Sequence, residues 1–283
     1  MDEQSRQMRP VGGRRAEAAG TYWHGWFWEA EVLVLTDLAE TEVLHRHVAV
    51  QVVVSLGGPT AMRLADGSWQ QGLGTVVASD VAHVYDSRSE PTLGLWIDPA
   101  STVGRAIAER YLTDASLVML DDERCARIGA SAPHGPERSL TPATARTVFE
   151  HAVEQLIGDL RPRAPLDPRV AQVLRRLDGA THLPPVAGLA SAVGLSASRL
   201  QHLVREHLGV SLSRWLMWRR TLIALERMLE GASATEAAYH AGFADGAEFT
   251  RRFREFFAAA PTAAVQDPRI RATVCSRLPR QAA

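Results

Sequence analysis

The chain has 283 residues, 46% of them hydrophobic and 22% charged, a globular composition with material for two ordinary domains. No run of about 18 uncharged apolar residues occurs, so no membrane-spanning helix is expected. The net charge of −1 hides a division: residues 168–283 hold 16 Arg against 9 acidic residues, net +7, and residues 1–167 hold 15 Arg against 23, net −8. A polyanionic partner is therefore expected for the second half alone. Every basic residue is Arg, which a bias toward GC-rich codons explains without invoking function.

Residues 1–20 are polar, carry Arg6, Arg9, Arg14 and Arg15, and lack the apolar core of a secretory signal. They read as a flexible leader on a cytoplasmic, nucleoid-associated protein. Cys125 and Cys275 lie too far apart to form a metal or redox motif. Residues 21–98 read as β structure. Val32–Leu38, Val43–Leu56, Ala61–Leu64, Gly74–Ala78 and Thr92–Ile97 are rich in β-branched residues, with turn signals at Gly57-Gly58-Pro59 and Asp66-Gly67. Short strands at close spacing predict a small barrel or sandwich. The aromatic run Tyr22–Trp28 either lines an effector pocket, with Trp26 and Trp28 foremost, or packs a barrel wall.

Within the β region, His45 and His47 precede Gln51, Gly57 and Gly58, and Gly74, Asp80 and His83 follow. Strand alternation places His45, His47 and Gln51 on one face. The pattern resembles a degenerate cupin motif, in which two His and a Glu from a first motif and one His from a second hold a metal. Gln51 stands where the Glu would be. The resemblance implies a cupin-like barrel. Three roles stay open for His45, His47 and His83: ligands of a divalent metal, contacts to a small-molecule effector together with Gln51, Trp26 and Trp28, or hydrogen-bonded structural rings. Asp80 is an alternative carboxylate ligand.

Residues 99–160 turn helical. Ser101 can cap a helix bearing Val103, Ile107 and Tyr111. Thr141-Pro142 opens a longer one whose stripe is Ala145, Val148, Phe149, Ala152, Leu156 and Leu160. That stripe suits either the barrel or a second subunit. Pro162, Pro165 and Pro168 mark residues 161–167 as a linker. Residues 168–265 are helical with short turns, and 266–283 read as a loose tail.

The helical region contains a repeat. Ala190 and Gly194, then Leu195, recur 48 residues later as Ala238 and Gly242, then Phe243, and Ser196 can cap the helix that follows the first. A helix-turn-helix needs a small residue where its helices touch and a turn residue that accepts positive φ. Leu200, Leu203 and Val204 seat the second helix of one unit; Phe249, Phe253 and Phe256 seat that of the other. A helix over Ser211–Glu230, ended by Gly231, joins them and spans about 30 Å, which suits successive major-groove turns.

These residues resemble the AraC-type transcriptional regulators over Pro168–Pro261. The most specific stretch is Ala241-Gly242-Phe243-Ala244-Asp245, continued through Phe249–Arg254 to Pro261, with Gly194-Leu195-Ser196, Leu200–Leu203, Gly209, Trp218, Arg220 and Ala224 also matching. Ala258, where a glycine is usual, and Thr221, where a Leu is usual, depart from it. The resemblance implies that Ser198, Arg199, Gln201, His202 and Arg205 face the groove from one recognition helix, and Glu248, Thr250 and Arg251 from the other, with Arg254 on phosphate. Arg suits guanine, Gln adenine and Glu the cytosine amine. Gly246 and Ala247 offer almost no side chain for base reading.

The expected architecture is α+β and multidomain: a cupin-like β-barrel followed by helices over 21–160, then an all-α domain with two helix-turn-helix units. The expected function is a one-component transcriptional regulator, not an enzyme, that binds double-stranded DNA and a small effector. A homodimer is expected, activation is the expected mode, and RNA polymerase is a further candidate partner. A cupin-type metalloenzyme fused to a DNA-binding domain and an architectural DNA-bending protein are the competing readings.

Overall fold

The computed structural model describes residues 23–28, 31–36, 43–133, 140–160, 162, 165–267 and 269–275; the leader expected at 1–20 lies outside them. The N-terminal strands are β1 (Trp23–Trp28), β2 (Glu31–Thr36), β3 (Val50–Ser55), β4 (Thr60–Leu64), β5 (Gln70–Gly72), β6 (Gly74–Val77), β7 (His83–Asp86) and β8 (Thr92–Ile97). Helix α1 (Thr102–Tyr111), strand β9 (Leu117–Met119) and helices α2 (Asp122–Gly129) and α3 (Pro142–Ile157) follow. β-Branched runs such as VQVVVS in β3 favour extended backbone. Every residue of β3 is buried, as befits an inner strand covered on both faces.

The strands form two sheets and do not close into one barrel. One has the order β10-β1-β2-β8-β3-β6-β9, the other β5-β4-β7. The strand expected to begin at Val43 begins at Val50, and His45 makes only an isolated bridge to His83. The long helix settles on the sheet: Ala145, Val148, Phe149, Ala152 and Leu156 share one core with Val52, Leu95 and Ile97.

The C-terminal domain comprises α4 (Pro168–Leu177), α5 (Val186–Ser191), α6 (Ala197–Leu208), α7 (Leu212–Leu229), α8 (Ala234–His240), α9 (Gly246–Phe257) and α10 (Pro261–Gln266). Ser211 caps α7 by accepting from the Arg214 N–H. Ser233 and Glu236 form a reciprocal capping box on α8. Within the tail read as loose, β10 (Ile270–Val274) adds to the N-terminal sheet, parallel to β1, from Trp23↔Ile270 to Phe27↔Val274; residues 276–283 lie outside the described residues. The alternation of Ile270, Ala272 and Val274 was too short a signal to outweigh the flanking Pro and Arg. Among the described residues, no helix is long and apolar enough to cross a membrane.

The two domains share apolar surface. Val48, Ala49 and Ala100 lie in one core with Leu212, Trp215 and Trp218. Polar contacts cross the same seam. The Trp215 indole N–H donates to Asp98 Oδ1 at 2.8 Å. Arg214 pairs with Asp80 at 2.8 Å and with Glu255 at 2.6 Å, and Arg46 with Glu255 at 3.3 Å.

Ala258, the departure from the usual glycine, adopts the left-handed conformation at the end of α9 (φ 56°, ψ 9°), which an L side chain disfavours. Ala258→Gly relieves that strain at some cost in chain entropy. It is expected to stabilise the protein by about 0.5–1 kcal/mol, read as a raised midpoint in urea unfolding with an unchanged slope.

Candidate functional site

Both helix-turn-helix units turn through the same hydrogen bonds. In the first, Gly194 (φ 67°) donates to Ser191 O at 3.2 Å and Leu195 to Ala190 O at 3.0 Å. In the second, Gly242 (φ 80°) donates to Tyr239 O at 3.1 Å and Phe243 to Ala238 O at 3.0 Å. Each is a helix end closed by a left-handed glycine, repeated at the 48-residue spacing. Ser196 and Asp245 then cap α6 and α9. Between the units, the 18 residues of α7 span about 27 Å.

The expected groove-facing residues divide into two groups. Ser198, Arg199, Arg205, Arg251 and Arg254 are exposed, and among the described residues the four Arg side chains make no hydrogen bond or ion pair. His202 is exposed beside Glu206, at 3.1 Å. The others are engaged within the protein. Gln201 donates to Ser213 Oγ at 2.7 Å and accepts from the Ser213 N–H at 3.2 Å, tying α6 to the first turn of α7. Glu248 accepts from the Ala244 N–H at 3.0 Å. Thr250 donates to Gly246 O at 2.8 Å. The three positions that the resemblance assigns to base reading serve caps and helix ties here.

The N-terminal domain brings His45, His47 and His83 together, one ring nitrogen of each lying within 4.8 Å of the others. His47 also approaches Gln51 at 3.0 Å, although they no longer share a strand face as expected. Burial pushes all three imidazoles below the ordinary His range, His83 to about 4. Asp80 does not join them; Arg214 holds it. Trp26 and Trp28 do not join them either, because β1 lies three strand positions from β3, about 14 Å. Trp26 is fully buried and stacks on His24 at 3.7 Å, so it serves the core. Trp28 packs on Phe149 at 5.9 Å.

Trp28 also lines a separate cleft between the domains, about 610 Å³ with open solvent included, together with Phe27, Arg219, Leu222, Glu226 and Cys275. Both cysteine thiols are raised by burial, Cys125 to about 11, so neither is a reactive thiolate. The sequence reading missed Asp98, Arg214 and Glu255. On Glu255, burial favours the neutral acid, but hydrogen bonds and charge pairing with Arg214 and Arg252 outweigh it and hold the carboxyl below its ordinary range. Nothing local in the sequence marked the three residues, because their partners across the seam are 117 to 209 positions away.

Residues 189–267 match the helix-turn-helix domain family. Among curated proteins, no sequence matches the chain. The whole fold is similar to ToxT from Vibrio cholerae, with a TM-score of 0.52 at 12% identity over 82% of this chain and 96% of that one. A structure described as unsaturated fatty acid bound wild-type ToxT gives 0.53 at 13% identity, over 82% and 93%. One of ToxT bound to (E)-4-(8-methylnaphthalen-1-yl)but-3-enoic acid gives 0.51 at 12% identity, over 81% and 95%. Residues 189–267 are a helix-turn-helix DNA-binding domain of the AraC type, carried in a chain with the two-domain fold seen in ToxT.

Proposed function

We propose that the chain is a one-component transcriptional regulator that reads promoter DNA with α6 and α9 and answers to a small effector through its N-terminal domain. The observation that carries this is the pair of matching helix-turn-helix units, each presenting exposed, uncommitted Arg side chains, on the half of the chain with net charge +7. Arg199 and Arg251 sit where a bidentate contact to guanine is open to them, while Arg205 and Arg254 suit phosphate. Ser198 and His202 complete the first reading surface. Gln201, Glu248 and Thr250 reach bases only by giving up the hydrogen bonds they hold in the free protein.

The interdomain cleft is the proposed effector site. Its walls are apolar, with Arg219 and Glu226 as the polar groups, and it touches both β1 and α7. The ligands in the two ToxT structures are carboxylic acids with large apolar parts, which supports an effector of that class. An effector can shift the protein only by its difference in affinity between two states, and a cleft walled by both domains supplies that difference. The reading includes a homodimer, contact with RNA polymerase where transcription is activated, and no catalytic step.

Arg199→Ala is expected to cost about 1–3 kcal/mol in operator binding and to relax preference at one base pair, whereas Arg254→Ala weakens all sequences alike. Selection of sites from random DNA by each variant checks this; an unchanged preference for Arg199→Ala removes it from the reading surface. Gln201→Ala should instead lower folding stability by about 1 kcal/mol, measured by urea unfolding, because Ser213 loses both bonds. Oleate is expected to change operator affinity of the wild-type chain at least about 5-fold, and Leu222→Trp, which fills the cleft, should abolish that response while the protein still binds DNA.

A further inference from the structure

Three imidazoles meet where the two domains join, and reading DNA requires nothing of them. In each ring Nδ1 faces a main-chain carbonyl: Val43 O for His45 at 3.0 Å, Ala49 O for His47 at 3.0 Å, and Val81 O for His83 at 2.9 Å. A carbonyl only accepts, so each Nδ1 carries the proton and each Nε2 keeps its lone pair. This is the tautomer of a metal-ligating His whose far nitrogen is held by an outer partner.

His83 Nε2 is fully buried and, among the described residues, has no hydrogen-bond partner. An unmet buried acceptor is costly, and the His83 ring centroid lies 4.5 Å from that of His45 and 5.0 Å from that of His47. Gln51 fits the same scheme. With its amide turned so that the NH₂ faces His47 Nε2, it satisfies that lone pair until a cation displaces it. Among the described residues no carboxylate joins the cluster. Three neutral nitrogens without carboxylate oxygen suit Zn(II), Ni(II), Cu(II) or Fe(II) and disfavour Ca(II) and Mg(II).

The ligands are also tied to the DNA-binding domain. Arg46, between two of them, pairs with Glu255 of α9 and donates its N–H to Glu255 O at 3.3 Å. Asp80 donates its N–H to His47 O at 2.8 Å while its carboxylate holds Arg214 of α7. The His47 ring lies 6.3 Å from that of Trp218 on α7. Residues 43–49 belong to no strand, so coordination would add a constraint to the segment that grips α7 and α9.

We propose that His45, His47 and His83 bind one late first-row divalent cation, zinc foremost, through their Nε2 atoms, and that loading tightens the N-terminal domain against α7 and α9. The cation site stands independently of the regulator function; its consequence for DNA rests on that reading.

The test uses full-length protein without a polyhistidine tag, stripped by chelator and titrated with Co(II) and then Zn(II). One Co(II) per chain is expected, with the ligand-field absorption of nitrogen-bound Co(II), displaced by Zn(II). His45→Ala removes a half-buried ring outside any strand, so the fold should persist in circular dichroism while Zn(II) affinity falls by more than about 100-fold, beyond what loss of an outer partner gives. His83→Asn is the second variant. No uptake by the wild-type chain, or uptake that both variants leave unchanged, overturns the site. In hydrogen exchange, Zn(II) should slow residues 43–49 and also 214–218 and 252–257. Protection confined to 43–49 overturns the coupling. DNA binding by the stripped protein separately decides the regulator reading.

Discussion

Asp98 is 3% exposed, yet its carboxylate accepts from the Trp215 indole and from the Ala100 N–H, both at 2.8 Å. A buried carboxylate is costly unless its hydrogen bonds are met. Both bonds fall on Oδ1 and come from the two sides of the domain seam, whereas the buried Oδ2 has no partner among the described residues; Oδ1 is therefore served from both sides only when the domains sit in one relation. Arg214 adds a second constraint of the same kind, held between Asp80 of one domain and Glu255 of the other. Apolar burial of Val48, Ala49 and Ala100 with Leu212 and Trp218 supplies attraction without direction; Asp98 and Arg214 supply the direction.

The helix that receives these contacts, α7, is also the one that spaces the two recognition helices. Its neighbours differ along its length. Arg214, Trp215 and Trp218 meet the histidine side of the N-terminal domain, while Leu222, Ile223, Leu225, Glu226 and Leu229 line the cleft against β1, β2 and β10. Both candidate ligand sites therefore abut one rigid element. On the proposed reading, a ligand at either would reach α7 as a shift in how the seam packs, the kind of domain rearrangement by which packed interfaces switch between discrete states. β10 adds a covalent strap: the chain leaves α10 and returns to pair with β1, tethering the second helix-turn-helix unit to the first domain's sheet edge.

Sequence carried the C-terminal domain further than the N-terminal one because its signals are local. A left-handed glycine, a capping Ser or Asp and an apolar seat at fixed offsets determine each helix-turn-helix within about 20 residues. His45, His47 and His83 were also legible, since their spacing survives as a cluster, though the strand expected to carry the first two begins later, at Val50. What escaped is non-local. The aromatic run around Trp26 left pocket lining and wall packing both open, and it is the sheet order that puts Trp26 in the core. The resemblance implies that Gln201 faces DNA, and its bonds to Ser213, 12 residues on, are not marked by any local pattern. The seam carboxylates Asp80, Asp98 and Glu255 have no sequence signature, because a buried charge is defined by its partner and not by its neighbours.

Footprinting of the full-length chain on sites selected from random DNA tests the central claim, that both units read DNA together. The account predicts sequence-specific protection of two major-groove segments on one face of the duplex, about 34 Å apart, with affinity falling steeply as salt rises. Protection without sequence preference, or binding indifferent to salt, would contradict it.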